Sequence, residues 1–159
     1  MLIVCTQDQI IRDTAADRDS GSPEWGYLTA LNLGGQPGAT VQFEAELRRL
    51  KVAEPLALSA HGNDEEIGDE GRRGWVWSPG DVAAMLDRNA PAQWLGPVLI
   101  HACAETIVNF SARLAGALSG SRFRGMWCFG YNRPLASAAG FPPPASMTKR
   151  VDLQWTRVD

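Results

Sequence analysis

The chain has 159 residues, 45% of them hydrophobic and 21% charged, with a formal net charge of −3. That length fits one domain with a buried core over residues 1–159. The acidic balance argues against a general nucleic-acid binder, and no apolar run reaches the roughly 18 residues of a membrane span.

Met1-Leu2-Ile3-Val4-Cys5 is too short, and lacks the charged flank, for a signal peptide. The initial Met suggests that the chain starts here. Three cysteines, an odd number spread along the chain, fit a reducing, cytoplasmic setting better than a disulfide framework.

Residues 2–6 read as a buried first strand, followed by a polar loop over residues 8–23 that Gly21-Ser22-Pro23 interrupts. A short helix is expected over residues 25–33, stopped by Gly34-Gly35-Gln36-Pro37-Gly38. Thr40 is a plausible N-cap for a helix to about residue 51, with Phe43, Leu47 and Leu50 at helical spacing. Residues 55–60 are nearly continuous in apolar side chains, as a buried parallel strand would be.

An acidic segment, residues 63–71, separates His61-Gly62 from Arg72-Arg73-Gly74 and Trp75-Val76-Trp77. Ile67 and the tryptophans predict a small hairpin beside the main sheet. Ser78-Pro79-Gly80-Asp81 forms a capping box with Pro at the first helical position. The helix it opens carries Val82, Met85 and Leu86 on one face and ends near Asn89.

Residues 97–102 are the third core strand. A helix is expected over about residues 106–118, with Ile107, Phe110, Leu114 and Leu118 as its buried stripe and Gly120 as its stop. Residues 123–131 read as a strand, 132–149 as a long loop rich in Pro, Ala and Ser, and 151–158 as a terminal edge strand. Cys5 and Cys128 are expected in core strands. Alternating strands and helices predict an α/β fold, a three-layer sandwich with a mostly parallel central sheet covered on both faces.

Two strands end on residues that do chemistry. Leu56-Ala57-Leu58-Ser59-Ala60 leads into His61-Gly62, and Val98-Leu99-Ile100-His101-Ala102 leads into Cys103. Catalytic groups of open α/β sheets gather beyond the carboxyl ends of the strands, so these two place a base beside a nucleophile. A thiol needs such a base, or a helix N-terminus, to ionise. The helix expected after Cys103 would add its dipole. The amides of Gly62 and Cys103 are candidates for an oxyanion hole.

An apolar strand ending in His-Gly, a polar hairpin, a capped helix, and a second strand ending in Ala-Cys resemble the caspase-like cysteine peptidases. This family includes caspases, metacaspases, separase- and CHAT-type proteases and the autoprocessing domains of large toxins. Caspases place the His about 50 residues before the Cys; here the separation is 103 − 61 = 42. The resemblance covers about residues 55–131. It implies a caspase-like fold and a cysteine endopeptidase that needs no cofactor and acts on a protein or peptide. His61 would be the general base, Cys103 the nucleophile and Gly62 an oxyanion-hole donor.

The chain departs from the family at named positions. Ala104-Glu105-Thr106 follows the Cys, where a small residue or Gly is usual. Glu105 would disfavour a thiolate unless it points away or pairs with an Arg. His101 stands two before the nucleophile, where metacaspases carry an acidic residue and caspases a Gln. Strand alternation puts it on the Cys103 side, as pocket floor or acting on the thiolate directly.

Asp64 and the acidic loop would favour a basic residue in the substrate unless Arg72 and Arg73 neutralise them. Arg133 and Phe141-Pro142-Pro143-Pro144 follow the last core strand, where such enzymes build part of the substrate groove. Two other readings use the same residues. One is a catalytically silent module that binds a protein partner. The other is a metal site of His61, His101, Cys103 and Asp64, which no C-x-x-C or H-x-x-x-H pair supports.

Overall fold

Alternation along short apolar strands divides the interior between two faces of one sheet. In the computed structural model, which describes residues 1–32, 34–71 and 74–159, six strands form that sheet: β1 (Leu2–Val4), β2 (Leu28–Ala30), β3 (Leu56–Ser59), β7 (Val98–His101), β8 (Trp127–Tyr131) and β9 (Leu153–Arg157). Their order is β2-β1-β3-β7-β8-β9; all neighbours are parallel except β8 and β9, which are antiparallel.

Ile3, Leu56, Leu58, Val98, Ile100 and Cys128 point to one face. There they meet α2 (Gln36–Leu47), α3 (Pro79–Asn89) and α4 (Phe110–Ala117) through Phe43, Leu47, Val82, Leu86 and Leu114. Leu2, Val4, Ala57, Leu99, Phe129 and Tyr131 point to the other face. A thinner cover lies over them: Ile11 and Ala15 of α1 (Gln9–Ala16), then Trp25, Phe141 and Met147. The period of two in the strands and of 3.6 in the helices produces this three-layer α/β sandwich. No helix among the described residues is long and apolar enough to cross a membrane.

The hairpin expected after His61-Gly62 is present as a three-stranded antiparallel sheet: β4 (His61–Gly62), β5 (Ile67–Gly68) and β6 (Val76–Trp77). A side chain at Gly62 would meet the Glu66 carbonyl at 2.5 Å. Trp77 stacks on Phe43 with ring centroids 4.9 Å apart, so the hairpin is packed into the helical layer. The capping box of α3 is complete, Ser78 and Asp81 each accepting the other's backbone amide.

Several local expectations are corrected. Residues 9–16, expected in a loop, form α1; it buries only Ile11 and Ala15, too few to give a clear periodic stripe. The stretch expected as a helix over residues 25–32 carries β2 instead, Leu33 lying outside the described residues. Gly26, at φ 79°, ends a turn at Trp25, and pairing with β1 takes over. Helix α2 starts a turn before Thr40, because Pro37 is tolerated in its first turn after Gly35, at φ 80°.

Helix α4 begins at Phe110 and not near residue 106. The side chain of Asn109 caps it by accepting the Ala112 amide at 3.1 Å. Ile107, expected in the buried stripe, is 73% exposed, whereas Phe110, Leu114 and Leu118 are buried. Strand β8 starts at Trp127 rather than near residue 123. Residues 132–149 are irregular apart from a 3₁₀ segment, Pro144–Lys149.

Candidate active site

Strands β3 and β7 are paired in register, Ser59 opposite His101, and the ladder runs one step further as the Ala60 amide donates to the His101 carbonyl at 3.2 Å. Continuing that register brings residues 61 and 103 to neighbouring strand ends. His61 and Cys103 line one small cleft there, together with Ser59, Ala60, His101 and Ala102. The sheet geometry thus brings together the two residues that the sequence singled out.

His61 is held from behind. Its Nε2 lies 3.0 Å from Oδ2 of Asp8, whose Oδ1 accepts the Ile11 amide at 3.0 Å as the N-cap of α1. The Ile11 amide and then the imidazole keep the Asp8 carboxyl below its usual range. A carboxylate only accepts, so the proton of neutral His61 resides on Nε2 and the lone pair on Nδ1.

The Asp8 segment is itself anchored to the hairpin. Oδ1 of the buried Asp69 accepts the Thr6 hydroxyl at 2.8 Å and the Gln7 amide at 2.7 Å, while Thr6 Oγ1 accepts the Asp8 amide at 3.1 Å. Asp8, in a stretch that the sequence predicts as a polar loop, caps a helix. It stands beyond the carboxyl end of β1, the same topological position that marks His61 and Cys103, and it opens a helix as an acidic N-cap.

Cys103 is half-buried. Its Sγ donates to the Leu135 carbonyl at 3.2 Å and lies 3.4 Å from the Leu135 amide. Residues 135–137 thereby form one wall of the cleft, leaving a free volume of about 20 Å³, enough for roughly one water. The expected dipole of a helix starting after Cys103 is absent, since α4 begins at Phe110. Cys5 and Cys128 are fully buried in the core, and burial raises both thiol pKa values, Cys128 to about 12.

His101 faces the same side as Cys103. Its Nε2 lies 3.1 Å from the Gly140 carbonyl, which only accepts, so that nitrogen carries the proton and Nδ1 accepts the Ser59 hydroxyl at 3.2 Å. The ring stacks on Phe141 at 4.2 Å and meets the Tyr131 ring edge-on at 5.8 Å. Burial lowers its pKa to about 4, outweighing the Gly140 hydrogen bond.

The remaining candidates do not line the cleft. Asp64 accepts the Glu105 amide at 2.8 Å and the Thr106 hydroxyl at 2.6 Å. Burial would raise its pKa, but these donors outweigh it and hold the carboxyl low. Asp64 therefore ties the hairpin to the loop after Cys103, and Glu105 enters that tie through its backbone while its side chain is exposed. Arg133 points to Asp152 at 3.4 Å, and its carbonyl accepts the Ala104 amide at 3.3 Å.

Gly62 borders the neighbouring cavity with Asn63, Glu66 and Asp69. Arg72 and Arg73, considered above as neutralising partners of the acidic loop, lie outside the described residues. Among the described residues no group of three or more His, Cys, Asp and Glu side chains converges as a metal ligand set. No protein-family model matches this chain, and no curated protein matches it.

Proposed function

We propose that this domain is a caspase-like cysteine endopeptidase with Cys103 as nucleophile and His61 as general base. One observation carries the reading: Cys103 and His61 line the same cleft at the ends of adjacent parallel strands, with Asp8 bonded behind the imidazole. The hairpin after His61-Gly62, and the order of elements from β3 to β7, support the family resemblance.

In this mechanism Nδ1 of His61 takes the Cys103 proton as sulfur attacks the peptide carbonyl carbon. The Cys103 amide holds the oxyanion, while Gly62, the other donor that the resemblance implies, borders the neighbouring cavity. The carbon–nitrogen bond then breaks, His61 returns the proton to the leaving amine, and a thioester remains on Cys103. Water, deprotonated by His61, attacks the thioester and releases the acid with the free thiol. Asp8 fixes the tautomer that makes Nδ1 the base. The substrate is a protein or peptide, no cofactor takes part, and the free thiol suits a reducing, cytoplasmic setting.

A second reading, a catalytically silent module that binds a protein partner, draws on the Leu135 backbone engaged with the thiol. Incubation with a mixed peptide pool, read by mass spectrometry, separates the two. The peptidase produces new termini that disappear in Cys103→Ala; identical products, or none, from both proteins would favour the silent module.

A further inference from the structure

The hairpin that carries His61 also holds the residue behind it. His61 pairs with Gly68 across β4 and β5, so Asp69 stands one residue from the position opposite the imidazole. Its backbone is closely fixed there. The Asp69 amide donates to the Trp75 carbonyl at 2.8 Å, and a side chain at Gly74 would meet the Asp69 carbonyl at 2.0 Å. The Asp69 residue is only 8% exposed, and burying a carboxylate costs free energy unless hydrogen bonds replace its water. One of its oxygens, Oδ1, takes both the Thr6 hydroxyl and the Gln7 amide.

Thr6, fully buried two residues beyond β1, is held at three points. Its hydroxyl donates to Asp69, its Oγ1 accepts the Asp8 amide at 3.1 Å, and its carbonyl accepts Arg12 Nε at 2.9 Å. Helix α1, which Asp8 caps, buries only Ile11 and Ala15. Elements with so few buried apolar contacts lie at the low end of local stability, so the polar chain from Asp69 through Thr6 is what holds Asp8 against His61.

We propose that Asp69 is a positioning residue for the imidazole: acting through Thr6, it sets where the Asp8 carboxylate stands behind His61. Asp69 does not line the cleft that holds Cys103 and takes no part in the bonds made or broken there. It is a supporting group of the kind that keeps a reactive side chain in its productive geometry. The role of His61 as general base rests on the peptidase reading; the placement of Asp8 by Asp69 does not, so the two are tested separately.

The test reads the imidazole nitrogens of wild type, Asp69→Ala and Thr6→Val by nitrogen NMR at about pH 9, where imidazoles are neutral. The chain has two histidines, and His101, hydrogen-bonded at both nitrogens to Ser59 and Gly140, reports the fold in the same spectrum. Thr6→Val keeps the side-chain shape and removes the hydroxyl that links Asp69 to Asp8, so it decides the matter if Asp69→Ala fails to fold. Iodoacetamide labelling, read by intact mass, gives a second readout; Cys5 and Cys128 are fully buried, so a single adduct reports Cys103.

In the wild type the His61 proton resides on Nε2 alone. In either variant His61 moves to a mixture of tautomers while the His101 signals stay. Labelling of Cys103 falls about tenfold in Asp69→Ala, but by less than about twofold when the same change is made in Asp8→Ala, because residues of one network are not additive. Unchanged His61 signals in both variants would overturn the positioning role. So would equal losses of labelling in the two backgrounds, since a general structural effect adds. Shifted tautomers, with labelling indifferent to His61→Ala, would uphold Asp69 and overturn the peptidase.

Discussion

The carboxylate of Asp8 serves two partners at once, Nε2 of His61 through one oxygen and the Ile11 amide through the other, each at 3.0 Å. These roles separate by substitution. Asp8→Asn keeps an N-cap oxygen but loses the charge behind the imidazole, so peptidase kcat/KM falls by about 100-fold, within the range of general acid–base effects. Its stability changes little. Asp8→Ala loses both functions and costs about 1 kcal/mol in addition. Parallel urea titrations and kinetic assays check the separation; equal stability losses in the two variants would contradict it.

His101 makes stability depend on pH with a definite sign. Its folded pKa of about 4 lies below the ordinary 6.5, so the unfolded chain binds more protons between these values. Stability is therefore full above about pH 6.5 and declines as pH falls towards 4, by about 3 kcal/mol in all. Asp8, Asp64 and Asp152, whose pKa values are lowered, act in the acid range in both wild type and variant. Urea unfolding of the wild type and His101→Gln over this window isolates the histidine: the wild-type curve is steeper, and parallel curves would refute its burial as a neutral ring.

Asp64 joins the hairpin to the loop that follows the nucleophile. Asp64→Ala leaves the Glu105 amide and Thr106 hydroxyl without their acceptor, and costs about 1–3 kcal/mol. The same change loosens the Cys103 loop. Hydrogen exchange at Glu105 reads the tie directly: its amide is protected in the wild type and exchanges faster in Asp64→Ala.

Two tryptophans of the hairpin differ in their indole nitrogens. Trp77 Nε1 donates to the Thr40 hydroxyl at 3.2 Å, whereas Trp75 Nε1 is buried with no partner among the described residues. Trp75→Phe removes an unsatisfied donor and Trp77→Phe breaks a bond, so the second is the more destabilising, by about 1 kcal/mol. Thermal or urea unfolding of the pair gives that order or reverses it.

Much of this architecture is legible in the chain because apolar runs and caps are local. Residues 55–60 and 97–102, the Ser78–Asp81 box and the hairpin tryptophans each announce their element. What escaped depends on partners distant in sequence. Strand β2 exists because β1 offers an unpaired edge, and α1 rests on only Ile11 and Ala15. His61 and Cys103 stand out because both follow apolar strands. Asp8 does not, since its role appears only when residues 8 and 61 meet. The partners of Asp64 are hidden for the same reason: its donors are more than 40 positions away.

The most direct test of the central claim is the pH-dependent alkylation of Cys103 by iodoacetamide, in the wild type and in His61→Ala. An activated pair predicts rapid labelling below about pH 7, slowed when the imidazole is removed. Slow labelling, with the same pH profile in both proteins, would contradict the peptidase and leave the cleft as a binding surface.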